Sequence, residues 1–322
     1  MGCGWLGKVL AQSLIAKGHH VRGSVTTEAN LEVLSNMGIE PFLIKLDNET
    51  ITGNLNDFLE GVNTLVIAFP PGRRKNPDAN YASRIKILVD ILAKHPSCKL
   101  LLLSSIGVFG ATQGVVYEKS TPTPDGLSGQ QLLEAEEFVQ AAENHATIVR
   151  LGGLVGGNRH PAKQLAGRIN IPAPQAPTNL VHQQDVVRFL MAIIEEGHWG
   201  KTLHCVSPVH HKRADFYTKA SKHLNLQRAI TLKNIKEEAI KLNVQPWPDD
   251  WNTKPIRARF NVFVTHVSIA ADQRFGNAAF EQQSLAINKM KKSWNIFVDQ
   301  ISGDAMLAPF DPAISQSIRK VE

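Results

Sequence analysis

The chain has 322 residues, 43% of them hydrophobic and 20% charged, with a formal net charge of +6. That balance suits a globular protein of one or two lobes, and no apolar run approaches the roughly 18 residues that span a bilayer. Cys3, Cys98 and Cys205 are far apart and lack metal-ligand spacing, so the expectation is a reduced, cytoplasmic protein with no metal site and no membrane association.

Gly2, Gly4 and Gly7 open the chain with G-x-G-x-x-G spacing. In a dinucleotide-binding turn the first glycine makes the bend and the second admits the pyrophosphate. The third packs helix against sheet, and the helix N-terminus supplies partial positive charge. A helix is predicted at once, from Leu6 to Lys17, where Val9, Leu10, Leu14 and Ile15 recur at helical spacing before Gly18. Such a turn ordinarily follows a strand, yet only Met1 stands before it. The expectation is therefore a sheet lacking most of its first strand, from a start assigned too late or a shortened gene. Met-Gly-Cys also resembles an acylation signal, but Leu6 stands where that signal requires Ser or Thr.

Further along, a strand is predicted at His20 to Val25 and a helix from Glu28 to Met37, ended by Gly38. Apolar runs follow at Pro41 to Leu46, Asn63 to Phe69 and Lys99 to Ser104, with helical stretches between them. A strand at Thr147 to Leu151, a helix at Asp185 to Glu196 and a strand at Thr202 to Val206 complete the pattern. Runs such as Leu65-Val66-Ile67-Ala68 suit strands buried on both faces, and alternation of strands with helices predicts an α/β, doubly wound parallel sheet. The basic clusters Arg73-Arg74-Lys75, His210-His211-Lys212-Arg213 and Lys289 to Lys292 are short and not interleaved with aromatics, so no nucleic-acid partner is expected.

The stretch Leu101 to Gly110, LLLSSIGVFG, resembles the short-chain dehydrogenase/reductase superfamily in its extended, epimerase/dehydratase-like form. More specifically it is similar to the atypical YeeZ-like branch. Gly2–Gly7 (GCGWLG), Gly23–Thr27 (GSVTT), Arg150–Gly167, Asn179–Val187 (NLVHQQDVV) and Ser207–Tyr217 match in order. The resemblance covers roughly residues 1–228 and implies a Rossmann-like, dinucleotide-binding domain over 1–156. It implies a small C-terminal substrate lobe over 157–255, with Rossmann elements returning at about 179–206. Residues 256–322 are an unassigned tail, foreign to the family or frame-shifted. There Trp294, Ile296 and Phe297 would form one amphipathic helix, with loop around Pro309 and Pro312.

In extended members a Ser or Thr, four residues before the Tyr of a V-Y-G turn, hydrogen-bonds the substrate oxygen. The turn here is Val108-Phe109-Gly110, so the resemblance assigns that role to Ser105. A Tyr-x-x-x-Lys pair on the next helix supplies the general acid/base, and alignment puts Leu127 and Gln131 at its positions. Leucine cannot transfer a proton and neutral glutamine cannot tune one, so the standard relay is missing. Candidate substitutes are Tyr117, His160 and His182, and Arg159 and His182 are candidate substrate contacts. Histidine is the easiest base near neutrality. Each has a plainer reading too: His160 and Arg159 shaping a loop, His182 ordering the start of the helix at Asp185, Tyr117 an edge residue.

Candidate cofactor contacts are Gly2, Gly4, Trp5, Leu6 and Gly7 on the turn, Ser24, Thr26 and Thr27 around the end of the strand at His20 to Val25, and Phe69, Pro70 and Ser104 at later strand ends. Ser104 reads equally as a strand-end cap. An NAD site ordinarily offers an acid about 20 residues past the glycines. Here Ser24-Val25-Thr26-Thr27 offers hydroxyls, and Glu28 falls after the strand, which favours NADP over NAD; Arg22 more readily makes a local packing contact. The expected activity is that of an NAD(P)-dependent oxidoreductase or epimerase-like enzyme on a small, carbohydrate-related molecule. A non-catalytic NAD(P)-binding or sensing protein is the alternative. A homodimer is compatible with either.

Overall fold

A computed structural model describes residues 1–226, apart from 74–75, 111–112, 143–144, 167, 169–170, 172 and 209, together with the backbone of 241–242. The tail over 256–322, with its expected amphipathic helix, lies outside the described residues. In chain order the elements begin α1 (Trp5–Ile15), β1 (Arg22–Val25), α2 (Ala29–Ser35), β2 (Glu40–Leu43), β3 (Lys45–Leu46), β4 (Ile51–Thr52), α3 (Leu55–Leu59), β5 (Thr64–Ile67), α4 (Tyr81–Leu92) and β6 (Lys99–Ser105). After a 3-10 turn (Ile106–Val108) come β7 (Val115–Val116), α5 (Leu127–Gln140), β8 (Thr147–Leu151), β9 (Gly153–Val155), α6 (Pro161–Leu165), β10 (Leu180–His182), α7 (Gln183–Glu196), β11 (Thr202–Cys205), α8 (Arg213–His223) and β12 (Lys241–Leu242). No described helix is long and apolar enough to cross a membrane.

The described chain falls into two compact units, one of Met1–Leu154, Asn179–Ser207 and 241–242, the other of Val155–Thr178 and 208–226. The first is therefore discontinuous: the chain leaves after β8 and returns to add β10, α7 and β11. Its main sheet is parallel, ordered β11-β8-β6-β5, and β1 pairs in parallel with β2 separately. Residues 1–3 join the two. Met1 N donates to the Val66 carbonyl at 2.5 Å, Ala68 N donates to the Met1 carbonyl at 2.9 Å, and Cys3 N donates to the Ser24 carbonyl at 2.8 Å. Strand order thus reverses at the opening residues, the arrangement of a doubly wound sheet.

Residues of β6 explain why this sheet is buried on both faces. Leu100 and Leu102 join a cluster with Leu65, Ile67 and Ile148, while Leu101 and Leu103 are buried on the opposite side. On α4, Tyr81, Ile85, Leu88 and Leu92 recur at helical spacing and are fully buried in that cluster, as are Leu132, Ala135 and Val139 of α5. Each Leu, Ile or Val side chain among them contributes about 1.5–3 kcal/mol relative to exposure. A smaller cluster of Cys3, Ala11, Val25, Leu34 and Ile39 packs α1 and α2 over β1.

The run Pro41 to Leu46 differs from the single strand expected. Ile44 N still donates to the Val25 carbonyl at 3.0 Å, but Lys45 and Leu46 leave to pair antiparallel with β4. Gly53, at φ +107°, lies so close to the Leu43 carbonyl that a Cβ would sit 2.1 Å from it, and this contact folds the hairpin back on the strand.

Candidate functional site

The opening glycines form a tight turn into α1. Gly2 has φ +81°, and a Cβ there would stand 2.7 Å from Phe69 N, so both the backbone angle and the neighbouring strand end require glycine. A Cβ on Gly7 would meet the Gly2 carbonyl at 3.0 Å, so the third glycine seats the helix on the turn itself. At Gly4, the N-cap of α1, a Cβ would meet nothing within 4 Å. No side chain caps this end and no acid lies in its first turn. The result is an open, electropositive backbone cradle that suits a pyrophosphate.

Two side chains brace the turn. Ser24, at the end of β1, is buried, and its Oγ accepts from Gly2 N at 2.9 Å. Gln183, 8% exposed at the start of α7, donates through Nε2 to the Trp5 carbonyl at 2.8 Å, so the returning segment grips the turn across 178 residues of chain. Neither role follows from sequence spacing, because both depend on which strand and helix become neighbours. Thr26 is exposed, and the Thr27 hydroxyl accepts from Asn30 Nδ2 at 2.7 Å. Arg22 pairs with Glu40 at 3.0 Å and donates to the Asp57, Phe58 and Glu60 carbonyls at the end of α3, a packing role.

At the carboxyl ends of β5 and β6 stand Phe69, Pro70, Ser104 and Ser105. Ser105 is half-buried and caps the 3-10 turn, its Oγ accepting from Gly107 N at 3.1 Å. Ser104 turns the other way. Its hydroxyl is buried and donates to Glu136 on α5, whose carboxylate also takes Arg150 of β8 at 2.7 Å. Arg150 lies over the Phe109 ring and donates to the Glu118 carbonyl at 3.5 Å, while Glu118 accepts from His204 N at 3.3 Å. Burial pushes the Glu118 carboxyl up, and burial first, then the Arg150 charge, lowers His204 to about 4. This buried polar network fastens α5 to the sheet.

Leu127, at the usual tyrosine position, is 51% exposed. Gln131, at the usual lysine position, is buried, and its Oε1 accepts from Tyr81 N at 3.1 Å, capping α4. Tyr117 lies exposed beside β7. His182 is the N-cap of α7, its Nδ1 accepting from Gln184 N at 3.2 Å. Burial lowers its pKa and the Asp185 charge opposes that shift, while burial raises Asp185. In the second unit, His160 is buried and caps α6, its Nδ1 accepting from Ala162 N at 3.1 Å while its ring stacks parallel to Phe216. Arg159 is exposed and bridges to Gly156 through its backbone.

The model of a family described as NAD(P)H-binding matches residues 2–197. The chain is 33% identical over 229 residues to Protein YeeZ of Escherichia coli (strain K12), spanning 70% of this chain and 83% of that protein. Among solved structures, MoeE5 in complex with UDP-glucose and NAD superimposes with a TM-score of 0.61 at 18% identity, over 76% of this chain and 87% of that one. UDP-glucuronic acid 4-epimerase from Bacillus cereus in complex with NAD gives 0.59 at 17% identity, over 76% and 86%.

Proposed function

Because the chain belongs to the NAD(P)H-binding family, we propose that it binds a nicotinamide dinucleotide with the pyrophosphate over Gly2–Gly7 and the nicotinamide towards the ends of β5 and β6. The observation that carries this reading is the open backbone cradle at Gly4, uncapped and free of acids at the mouth of the sheet. When bound, the nicotinamide supplies hydride transfer. The protein's part is to hold it: Trp5, Leu6 and Gly7 present helix-end N–H groups, Phe69 and Pro70 border the ring, and Thr26 and Thr27 face the adenosine ribose. Hydroxyls in place of a strand-end carboxylate favour NADP over NAD. Arg22 takes no part, being held by Glu40.

The substrate is a small, carbohydrate-related molecule in the reading we favour, which extends to this chain the UDP-glucose bound by the structural neighbour MoeE5. Ser105, whose oxygen already accepts from Gly107 N, keeps its hydroxyl proton to donate to a substrate oxygen. His160, Arg159 and His182 stay as candidates for base and substrate contacts. The alternative, NAD(P) binding or sensing without turnover, is favoured by Leu127 and Gln131, the latter committed to capping α4.

Titration of the purified full chain with NADPH and NADH, followed by a panel of small sugars and nucleotide sugars with absorbance at the reduced nicotinamide, tests both. NADPH binding tighter than NADH, with turnover lost in Ser105→Ala, supports the enzyme. Tight NADPH binding with no oxidation by any substrate supports the sensor. Failure to bind either dinucleotide sinks both.

A further inference from the structure

Under the turn that follows β5 lies a pair of donors that the described structure does not use. Tyr81 begins α4 fully buried, its ring edge-on to Phe69 at 5.6 Å, and among the described residues its hydroxyl has no hydrogen-bond partner. Arg84, three residues on and so on the same helical face, has a buried Nε that also lacks an acceptor. Its guanidinium makes no ion pair among the described residues, and one terminal nitrogen stands 3.8 Å from where a Cβ on Gly72 would lie.

Two acceptors near Tyr81 are committed. Glu136, whose charge acts on the Tyr81 phenol, already takes Ser104 and Arg150. Gln131 spends its carbonyl oxygen on Tyr81 N. Arg84 as a whole is half-buried, so the unmet donor is its Nε, and an unpaired buried donor is costly. The guanidinium's planar fork matches a phosphate or carboxylate, and the Tyr81 hydroxyl adds a further donor. Phe69 meanwhile abuts the Gly2 turn, within 2.7 Å of where a Gly2 Cβ would lie, so the pair borders the proposed cofactor cleft.

We propose that Tyr81 and Arg84 form an oxyanion subsite beneath the Phe69–Gly72 turn, which takes a phosphate or carboxylate group of a bound molecule. The group comes either from the dinucleotide's own diphosphate or from an acidic substrate. The subsite stands on its own donors and does not require the dinucleotide reading.

Calorimetric titration of the full chain with inorganic phosphate, with NADPH and with NADPH in saturating phosphate tests it, using wild type, Arg84→Met, Arg84→Lys and Tyr81→Phe. Phosphate affinity should fall about tenfold in Arg84→Met, 1.4 kcal/mol, and less in Arg84→Lys and Tyr81→Phe. If the dinucleotide supplies the oxyanion, NADPH affinity falls in parallel and phosphate competes with it. If a substrate does, NADPH affinity holds and phosphate binds alongside. Phosphate binding to wild type with no NADPH binding would reject the dinucleotide reading and keep the subsite. Tyr81→Phe removes only the unpaired hydroxyl and keeps the packed ring, so it reports even should Arg84→Met fold poorly. Phosphate affinity unchanged in both Tyr81→Phe and Arg84→Lys, or no phosphate binding to wild type, overturns the proposal.

Discussion

Replacing Glu136 with Gln tests the buried network that ties α5 to the sheet. Glu136 and Arg150 are 1% and 4% exposed, so the guanidinium left behind cannot hydrate, and its three contacts to the carboxylate weaken together. Removing one partner of a buried pair costs about 3–5 kcal/mol. The glutamine still accepts from Ser104, so the penalty is that of the stranded charge. With a urea m-value near 3 kcal/mol/M, the midpoint falls by roughly 1–1.7 M. The double variant Glu136→Leu, Arg150→Met removes both charges and recovers most of the loss, because apolar replacement of a buried pair is often close to neutral. Urea unfolding of wild type, Glu136→Gln, Glu136→Leu, Arg150→Met and the double variant, followed by circular dichroism, measures the cycle. A Glu136→Gln cost below about 1 kcal/mol, or a double variant costing the sum of the singles, would refute the reasoning.

The two ends of the glycine turn should separate binding from stability. Gly4→Ala leaves stability within about 0.5 kcal/mol but weakens NADPH binding at least roughly tenfold, whereas Gly2→Ala costs about 1–3 kcal/mol in a thermal or urea melt. Equal NADPH affinity in Gly4→Ala would contradict the cradle. His204 gives a pH signature: its pKa drops from 6.5 to about 4 on folding, so the unfolded chain takes up the proton first and stability falls as pH drops below 6.5. The loss works out to roughly 2 kcal/mol at pH 5, and urea midpoints against pH should flatten over that window in His204→Leu. Gln183→Met removes the side-chain donor to the Trp5 carbonyl, which keeps its place in the helical ladder of α1, at a cost of about 0.5–1.5 kcal/mol. NADPH affinity, read by nicotinamide fluorescence, should fall with it, and unchanged affinity would show the brace to be idle.

Much of the first unit was legible because its signals are local. Leu101 to Ser104 is buried on both faces, whereas Leu65 to Ala68, read the same way, gives a strand whose Val66 is only half-buried; Gly18 and Gly38 mark where helices stop. The glycine spacing announced the cradle. What escaped was whatever depends on tertiary neighbours. Nothing near Gln183 signals a bond to Trp5, and Gln131 looked like a defective lysine until α4 placed Tyr81 N against it. Ser104 and Ser105 are adjacent and chemically alike, yet strand alternation sends one hydroxyl to Glu136 and leaves the other at the sheet's mouth.

The discontinuity of the first unit also sets an order in time. As the chain emerges from the ribosome, β8 is finished at Leu151, but its parallel neighbour β11 is not complete until Cys205. At about 5–20 residues per second, the outer edge of β8 waits roughly 3–11 s with its backbone donors and acceptors exposed, an interval in which edge-to-edge aggregation competes with folding. The same wait holds Trp5 without Gln183, so the nucleotide turn is made well before it is secured.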